Sequence, residues 1–349
     1  MNEKQPSNIG KINLKTFESF IMKRLGKKDD NILVLPLTGE DASVIDIGAK
    51  KVLVIAEDPI FNIPGQSLQM FGWYTVHIGA SDVAVMGVKP KWMTYTLIMP
   101  PQTNESDFEE IVDSIHKTAL ELDISIVGGH TGYYPGFASP TIGGITVFGT
   151  SDKNSYVTSS GAEPGNDVIL TKGPAIEAVG ILANLREEEL LNEYSPSLVN
   201  KAKSYAEKMS VVQDALTAME TGGVTSMHDA TEGGVIGGLF EVSNASGVGM
   251  EINEDLFIYP EEVHKVCEYF KIDPIASIAE GSLLITSRPG YSDKILEQLK
   301  KMNIDASVIG SVTDDISNRF IKRKNGKRVP LEIPAQDPFW PVFFQALGE

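Results

Sequence analysis

Short apolar runs broken by turn residues alternate along this chain with longer stretches of helical spacing. Residues 16–25 have the spacing of a short helix. Residues 32–37 are apolar and lead into Thr38-Gly39-Glu40-Asp41-Ala42. Two runs with strand character follow, 43–47 and 51–56, joined at Gly48-Ala49-Lys50. The second ends on Glu57-Asp58-Pro59, which predicts a carboxylate pair leaving the sheet for a loop. After a polar loop at 62–70, residues 72–86 read as a helix of small and apolar residues with Asp82 inside it. A strand at 92–99 and an amphipathic helix at 105–122 come next. A short strand at 125–127 then enters the glycine turn Gly128-Gly129-His130-Thr131-Gly132, and another strand covers 141–148.

Residues 151–166, rich in Ser, Asn, Gly and Pro, read as a linker, after which the pattern restarts. A strand at 167–171 meets Lys172-Gly173-Pro174 and a helix at 175–184. Helices are predicted over 187–192, 196–207 and 211–221. A strand at 226–229 runs into Ala230-Thr231-Glu232-Gly233-Gly234 and a helix at 235–246. Strands at 249–252, 283–286 and 306–310 alternate with helices at 261–270 and 291–301. Asn325-Gly326 is a hairpin turn between 320–324 and 328–331. The close, 337–349, is aromatic and should pack on the body. Strands and helices mix without regular βαβ alternation, so the class is α+β, with domains at 1–155 and 156–349.

Composition narrows the function. A net charge of −17 over 349 residues argues against a nucleic-acid surface, which needs a basic footprint. It leaves nucleotide binding open, because that uses a few local groups and metal ions. The single cysteine, Cys267, excludes an intrachain disulfide and sits in an amphipathic helix as a packed thiol. No run reaches the ~18 apolar residues of a membrane span, and the polar start shows no apolar signal core. The expectation is a cytoplasmic protein with no membrane association.

Acidic residues stand where solvated charge is not the default: Glu40/Asp41, Glu57/Asp58, Asp82, and Asp229/Glu232. Asp82 is the hardest to dismiss, since a carboxylate in an apolar helix needs partners or a metal. Hard oxygens gathered around phosphates are what Mg2+ requires. Gly233-Gly234 at a helix start offers backbone N–H groups to an anion. Gly128-Gly129-His130-Thr131 has two readings: a phosphate or substrate approach with His130 as acid/base, or a hairpin corner with His130 exposed. Lys172, at a strand end, either contacts phosphate or is a surface lysine. Walker A, Rossmann, zinc and nucleophile-elbow motifs are all missing from the sequence.

Taken in order, Gly39-Glu40-Asp41-Ala42, Glu57-Asp58, Ser81-Asp82-Val83-Ala84-Val85-Met86-Gly87, Gly128-Gly129-His130-Thr131, His228-Asp229-Ala230-Thr231-Glu232-Gly233-Gly234 and Ala279-Glu280-Gly281 resemble the aminoimidazole-ribonucleotide (AIR) synthase superfamily. Its members include that purine enzyme, the hydrogenase-maturation protein HypE, selenophosphate synthetase and thiamine-monophosphate kinase. The resemblance runs from about residue 35 to 312 and is nearest to HypE. It implies a two-domain PurM-like fold, with N-terminal domains pairing through a β-barrel into a homodimer and a C-terminal domain of helices on a mixed sheet. It implies ATP and Mg2+ in the cleft between the domains, with Asp41, Asp58 and Asp82 as metal–phosphate ligands. Gly128, Gly129, Thr131, Lys172, Gly233 and Gly234 would contact the nucleotide. Asp229 and His130 would stand by the acceptor.

Three departures qualify the likeness. HypE proteins carry a terminal cysteine, whereas this sequence closes Phe344-Gln345-Ala346-Leu347-Gly348-Glu349. His130 stands where the family turn carries an acid, and Glu232 where HypE has arginine. The reading is an ATP-dependent enzyme phosphorylating an amide or carboxyl-type oxygen of a small-molecule or protein-borne acceptor, with hydrogenase maturation as its context. A thiamine-monophosphate-kinase-like phosphotransferase, AIR synthase itself and a non-catalytic nucleotide-binding partner protein are the alternatives.

Overall fold

The computed structural model of the chain describes residues 9–12 and 14–347. The polar start therefore lies outside the described residues through residue 8, as do the last two residues of the aromatic close. A helical turn, α1 (Leu14–Thr16), runs into a π-helical turn, Phe17–Ile21, in place of the helix expected over 16–25.

The first half is a six-stranded sheet with two helices on one face. Strands β1 (Ile32–Val34), β2 (Ser43–Gly48), β3 (Lys51–Phe61), β4 (Trp92–Met99), β5 (Ser125–Tyr133) and β6 (Thr141–Asp152) lie in the order β1-β2-β3-β6-β4-β5. Among the described residues of this sheet only the β4–β5 pair is parallel, and helix α3 (Glu105–Glu121) supplies the crossover it needs. Strict alternation makes β3 two-sided: Val52, Val54 and Ala56 are buried beneath the helices, while Leu53 and Ile55 face outward. In α3, Ile111, Ser114, Ile115, Thr118 and Ala119 form a single buried stripe. Helix α2 (Leu68–Val85), capped by Ser67, is buried on nearly every side. It lies between the sheet, α3 and the second half of the chain.

Two expectations are corrected here. Strand β3 does not release Glu57 and Asp58 into a loop; it continues to Phe61, with a register irregularity between Asp58 and Ile60. Pro59 has no N–H to give a ladder, and a bulge is where a strand tolerates it. The two acids therefore stay on opposite faces. Glu57 accepts from Thr146 Oγ1 at 2.7 Å on the outer face, and Asp58 faces α2. Likewise Gly128 to Gly132 form no turn but extend β5 along β4. The register shifts between Met93 and Thr94, and at Gly129 (φ +144) a Cβ would run into the Tyr95 carbonyl.

In the second half, β7 (Asp167–Thr171), β8 (Val224–Asp229), β9 (Gly249–Asn253), β10 (Leu283–Ser287), β11 (Ala306–Thr313), β12 (Arg319–Lys322) and β13 (Arg328–Pro330) form a mixed sheet in the order β13-β12-β9-β11-β7-β10-β8. Helices α4 (Ile176–Leu185), α5 (Glu187–Glu193), α6 (Pro196–Lys203), α7 (Val212–Thr221), α8 (Gly234–Ser246), α9 (Glu261–Phe270), α10 (Ser292–Lys301) and α11 (Phe339–Leu347) surround it. Both faces are buried. Val168, Leu170 and Leu284 pack with Val235, Leu239 and Val242 of α8. Their neighbours Ile169, Leu283 and Ile285 enter the larger core with α4 and α7. The expected hairpin at Asn325-Gly326 joins β12 to β13. Cys267 is buried, and burial pushes its thiol up. Among the described residues no helix is long and apolar enough to cross a membrane.

The segment read as a linker is tied down. Its 3-10 turn, Ser159–Gly161, buries Ser159 completely. Ser159 Oγ donates to Asp41 at 3.1 Å, and Ser226 Oγ donates to the Ser159 carbonyl at 3.2 Å, so the turn joins the two halves.

Candidate functional site

The site lies where the β1–β2 loop, β3, α2, β8 and α8 converge. Gly39 (φ +83) lets the loop lie against α8, where a Cβ would stand 3.3 Å from Glu241 Cβ. That places Asp41 on His228, the penultimate residue of β8. His228 Nδ1 is 2.8 Å from Asp41 Oδ1, and Nε2 is 3.0 Å from Glu241 Oε2. With a carboxylate on each nitrogen, both ring nitrogens donate and the ring is an imidazolium. Burial works against that charge, but Asp41 and Glu241 outweigh it and hold the pKa well above its ordinary value. Burial also pushes the Glu241 carboxyl up, yet His228 pulls it below the usual range.

Asp229 follows His228, and ligand atoms of Asp41, His228 and Asp229 lie within 4.8 Å of one another. Burial and then Asp41 raise the Asp229 pKa to about 7. Asp82, from α2, is pushed well above its ordinary value by burial, by the charges of Asp58, Asp229 and Asp41, and by a hydrogen bond with Asp58. Four carboxylates from two halves of the chain thus crowd one another. The donor set suits Mg2+: the oxygens are hard, and the ring nitrogens of His228 are already committed. A divalent cation there removes the repulsion that otherwise forces protons onto Asp82 and Asp229.

A second acidic pair extends the site. Glu280 Oε1 is buried with no hydrogen-bond partner among the described residues, and the Glu280 N–H donates to Glu177 Oε2 at 3.1 Å. Burial, then Asp229, Glu177 and Asp58, raise Glu280 well above its ordinary value. Glu177, in the first turn of α4, is raised from 4.5 to about 8, mainly by burial. An acid with a raised folded pKa loses stability for the fold as pH climbs from its unfolded to its folded value. Glu177→Gln should therefore be neutral in stability near pH 4.5 and stabilising above pH 8, by about 1–3 kcal/mol. Denaturant unfolding at the two pH values checks this, and equal gains at both would contradict it.

The glycine turn behaves differently from its expected role. Gly233 N–H, read as a phosphate donor, donates to Asp337 Oδ2 at 2.8 Å, and Gly234 N–H donates to the Thr231 carbonyl at 3.0 Å. Gly234 (φ +62) also lies against the Ser277 and Ile275 carbonyls, where a Cβ has no room. The chain's own carboxylate thus caps α8. Burial raises Asp337 to about 6. Lys172 is a strut: Nζ donates to the carbonyls of Ser210 (2.7 Å) and Gly281 (2.6 Å) and pairs with Asp214 (2.7 Å). All three partners lie in the second half, and none of them is Asp41, Asp58, Asp82 or Asp229. Gly128, Gly129, His130 and Thr131 are not brought to the carboxylates within the chain. The row Asp58–Ile145–Tyr95–Gly129 crosses three strand spacings, roughly 14 Å. His130 is exposed and hydrogen-bonded to Tyr134 Oη at 2.7 Å.

The structure joins Asp41, Asp58, Asp82 and Asp229 as expected and adds His228, Glu241, Glu177, Glu280 and Lys11. Glu241 was open to the rule that singled out Asp82, a lone acid in an apolar helix. Glu177 is open to the same rule as the lone acid of the apolar helix α4; His228 and Glu280 stand only within the motifs of the family resemblance, and Lys11 carries no such signal.

Residues 39–151 match the family described as AIR synthase related protein, N-terminal domain, and residues 163–322 match its C-terminal domain. A Methanocaldococcus jannaschii protein named for hydrogenase expression and formation is 25% identical across 94% of this chain and 96% of its own length. Carbamoyl dehydratase HypE of Cupriavidus necator is 27% identical across 79% of this chain and 78% of its own. Among solved structures, the HypE-HypF complex aligns with TM-score 0.71 at 22% identity, over 91% of this chain and 99% of the other. ThiL complexed with AMPPCP and TMP aligns at 0.70 and 20% identity, over 91% and 97%. HypE in complex with ATP aligns at 0.67 and 20% identity, over 92% and 93%. These structures share the two-domain PurM-like fold described above. The chain belongs to the AIR synthase related protein family.

Proposed function

We propose that this chain is an ATP- and Mg2+-dependent enzyme that phosphorylates an amide or carboxyl-type oxygen, turning it into a leaving group. The observation that carries this reading is the convergence of Asp41, Asp58 and Asp82 with Asp229 across the two halves. The neighbours solved with ATP and with AMPPCP support a nucleotide in the same fold. Asp41, Asp58 and Asp82 would hold Mg2+, which would supply charge neutralisation of the phosphates during transfer. His228 fixes Asp41 between the halves, so the ligand oxygens are preorganised. Asp229, buried at the end of β8 beside Asp41, is the carboxylate placed to accept a proton from the acceptor.

The relatives support hydrogenase maturation as the setting, and the HypE-HypF complex supports a protein partner. The one cysteine is buried in α9 and supplies no acceptor thiol. Two copies would pair through the outer face of the first sheet, whose margins expose Ile47, Phe61 and Val127. The test is ADP release by the purified chain with Mg2+-ATP across amide and carboxylate acceptors. Acceptor-dependent ADP with inorganic phosphate is expected. A stable phosphorylated product would instead mark a small-molecule kinase, and no acceptor dependence at all would remove the enzyme reading.

A further inference from the structure

Residues 9–12 cross the turn at 231–232 and touch it at three points. The Lys11 N–H donates to Glu232 Oε2 at 2.7 Å. Lys11 Nζ donates to Thr231 Oγ1 at 2.9 Å. Gly10 (φ +90) brings its backbone so close to Glu232 that a Cβ there would collide with both carboxylate oxygens. The ammonium lies in the field of Glu241, Asp229, Asp82 and Asp41. Loss of water around the ammonium works against its charge, although the residue as a whole is exposed, and the four carboxylates outweigh that loss, so Lys11 holds its proton more tightly than a free lysine. The segment is otherwise thinly held: Gly10, Lys11 and Ile12 are exposed, Ile12 by 55%.

We propose that residues 9–12 are a latch over the carboxylate site: Glu232 is its catch, and Lys11 is the cation that a divalent ion displaces from the field of Asp41, Asp82 and Asp229. The inference rests on the Mg2+ reading above and deepens it. Lys11 brings one charge, through a flexible stem and a hydroxyl contact. Mg2+ brings two charges and ligates carboxylate oxygens directly. Both cannot occupy that field without repulsion, so binding the metal releases the latch. A closed latch reduces apparent Mg2+ affinity by the fraction of molecules open. Glu232 grips the strap backbone, so its effect on Mg2+ is opposite in sign to that of a simple nearby negative charge.

The test is calorimetric titration of the full chain with Mg2+ alone, joined to hydrogen exchange at residues 9–12. Lys11→Gln should tighten Mg2+ binding by about tenfold. Removing any nearby cation would do the same, so Glu232→Ala, which removes the acceptor of the Lys11 N–H, decides. Losing a carboxylate weakens Mg2+ binding if Glu232 contributes only charge. If it holds the latch shut, the same variant tightens binding by about threefold or more. In the wild type, saturating Mg2+ should speed exchange at residues 9–12. Weaker or unchanged Mg2+ binding by Glu232→Ala, or exchange at 9–12 indifferent to Mg2+, overturns the latch while leaving the metal site in place. If no variant binds Mg2+, the wild type included, the carboxylate reading falls and the latch with it.

Discussion

Asp82→Asn should bind Mg2+-ATP at least about tenfold more weakly, a loss of about 1.4 kcal/mol, and yet unfold no more easily than the wild type. The opposite signs follow from one geometry. Asp82 projects from a helix buried on nearly every side and is pushed up by burial and by Asp58, Asp229 and Asp41. In the free protein its charge costs stability, and asparagine keeps the shape while removing that cost. In the proposed complex the same carboxylate would be a metal ligand, and the cation would compensate its charge. Thermal unfolding and nucleotide titration of one preparation read both signs. Unchanged affinity contradicts the ligand assignment, and a large loss of stability contradicts the electrostatic one.

His228→Ala should be the most damaging single change to the fold near the site, costing about 3–5 kcal/mol. His228 is 3% exposed and bridges Asp41 of the first half to Glu241 of the second. Removing it leaves two carboxylates facing each other without their shared cation. The penalty has a pH signature. A histidine whose folded pKa is raised contributes stability that is fully present below its unfolded value of about 6.5. That contribution is lost as pH rises through the folded value, which lies well above. The difference between wild type and variant should therefore be largest in mild acid, persist through neutrality and shrink in alkali. Denaturant unfolding across pH measures it, and a penalty below about 1 kcal/mol at neutral pH would contradict the bridge.

Local periodicity made most of the fold legible, because alternation in β3 and the stripe in α3 report burial directly. What it could not show were devices that contradict a local rule for a tertiary reason. Pro59 reads as the end of a strand, but the strand absorbs it in an irregularity and keeps Asp58 facing α2. The glycines at 128–132 read as a turn, but they let an edge strand approach β4 closely. Of the site, Asp82 was legible because its surroundings are apolar. His228 stands in a motif but shows no role locally, because what defines it, Asp41, is 187 residues away. Lys11 was hidden for the same reason, with its Thr231 partner 220 residues distant. Gly233-Gly234 was legible as a helix start, but that Asp337 caps it could be seen only once the chain's close was placed.

The central claim is that Asp41, Asp58 and Asp82 hold a metal–nucleotide complex beside Asp229. Calorimetric titration of the wild-type chain with AMPPCP, in Mg2+ and again in EDTA, tests it most directly. The account predicts saturable binding in Mg2+ that is lost or falls by more than about tenfold in EDTA. Equal affinity in both, or no binding in either, would contradict it.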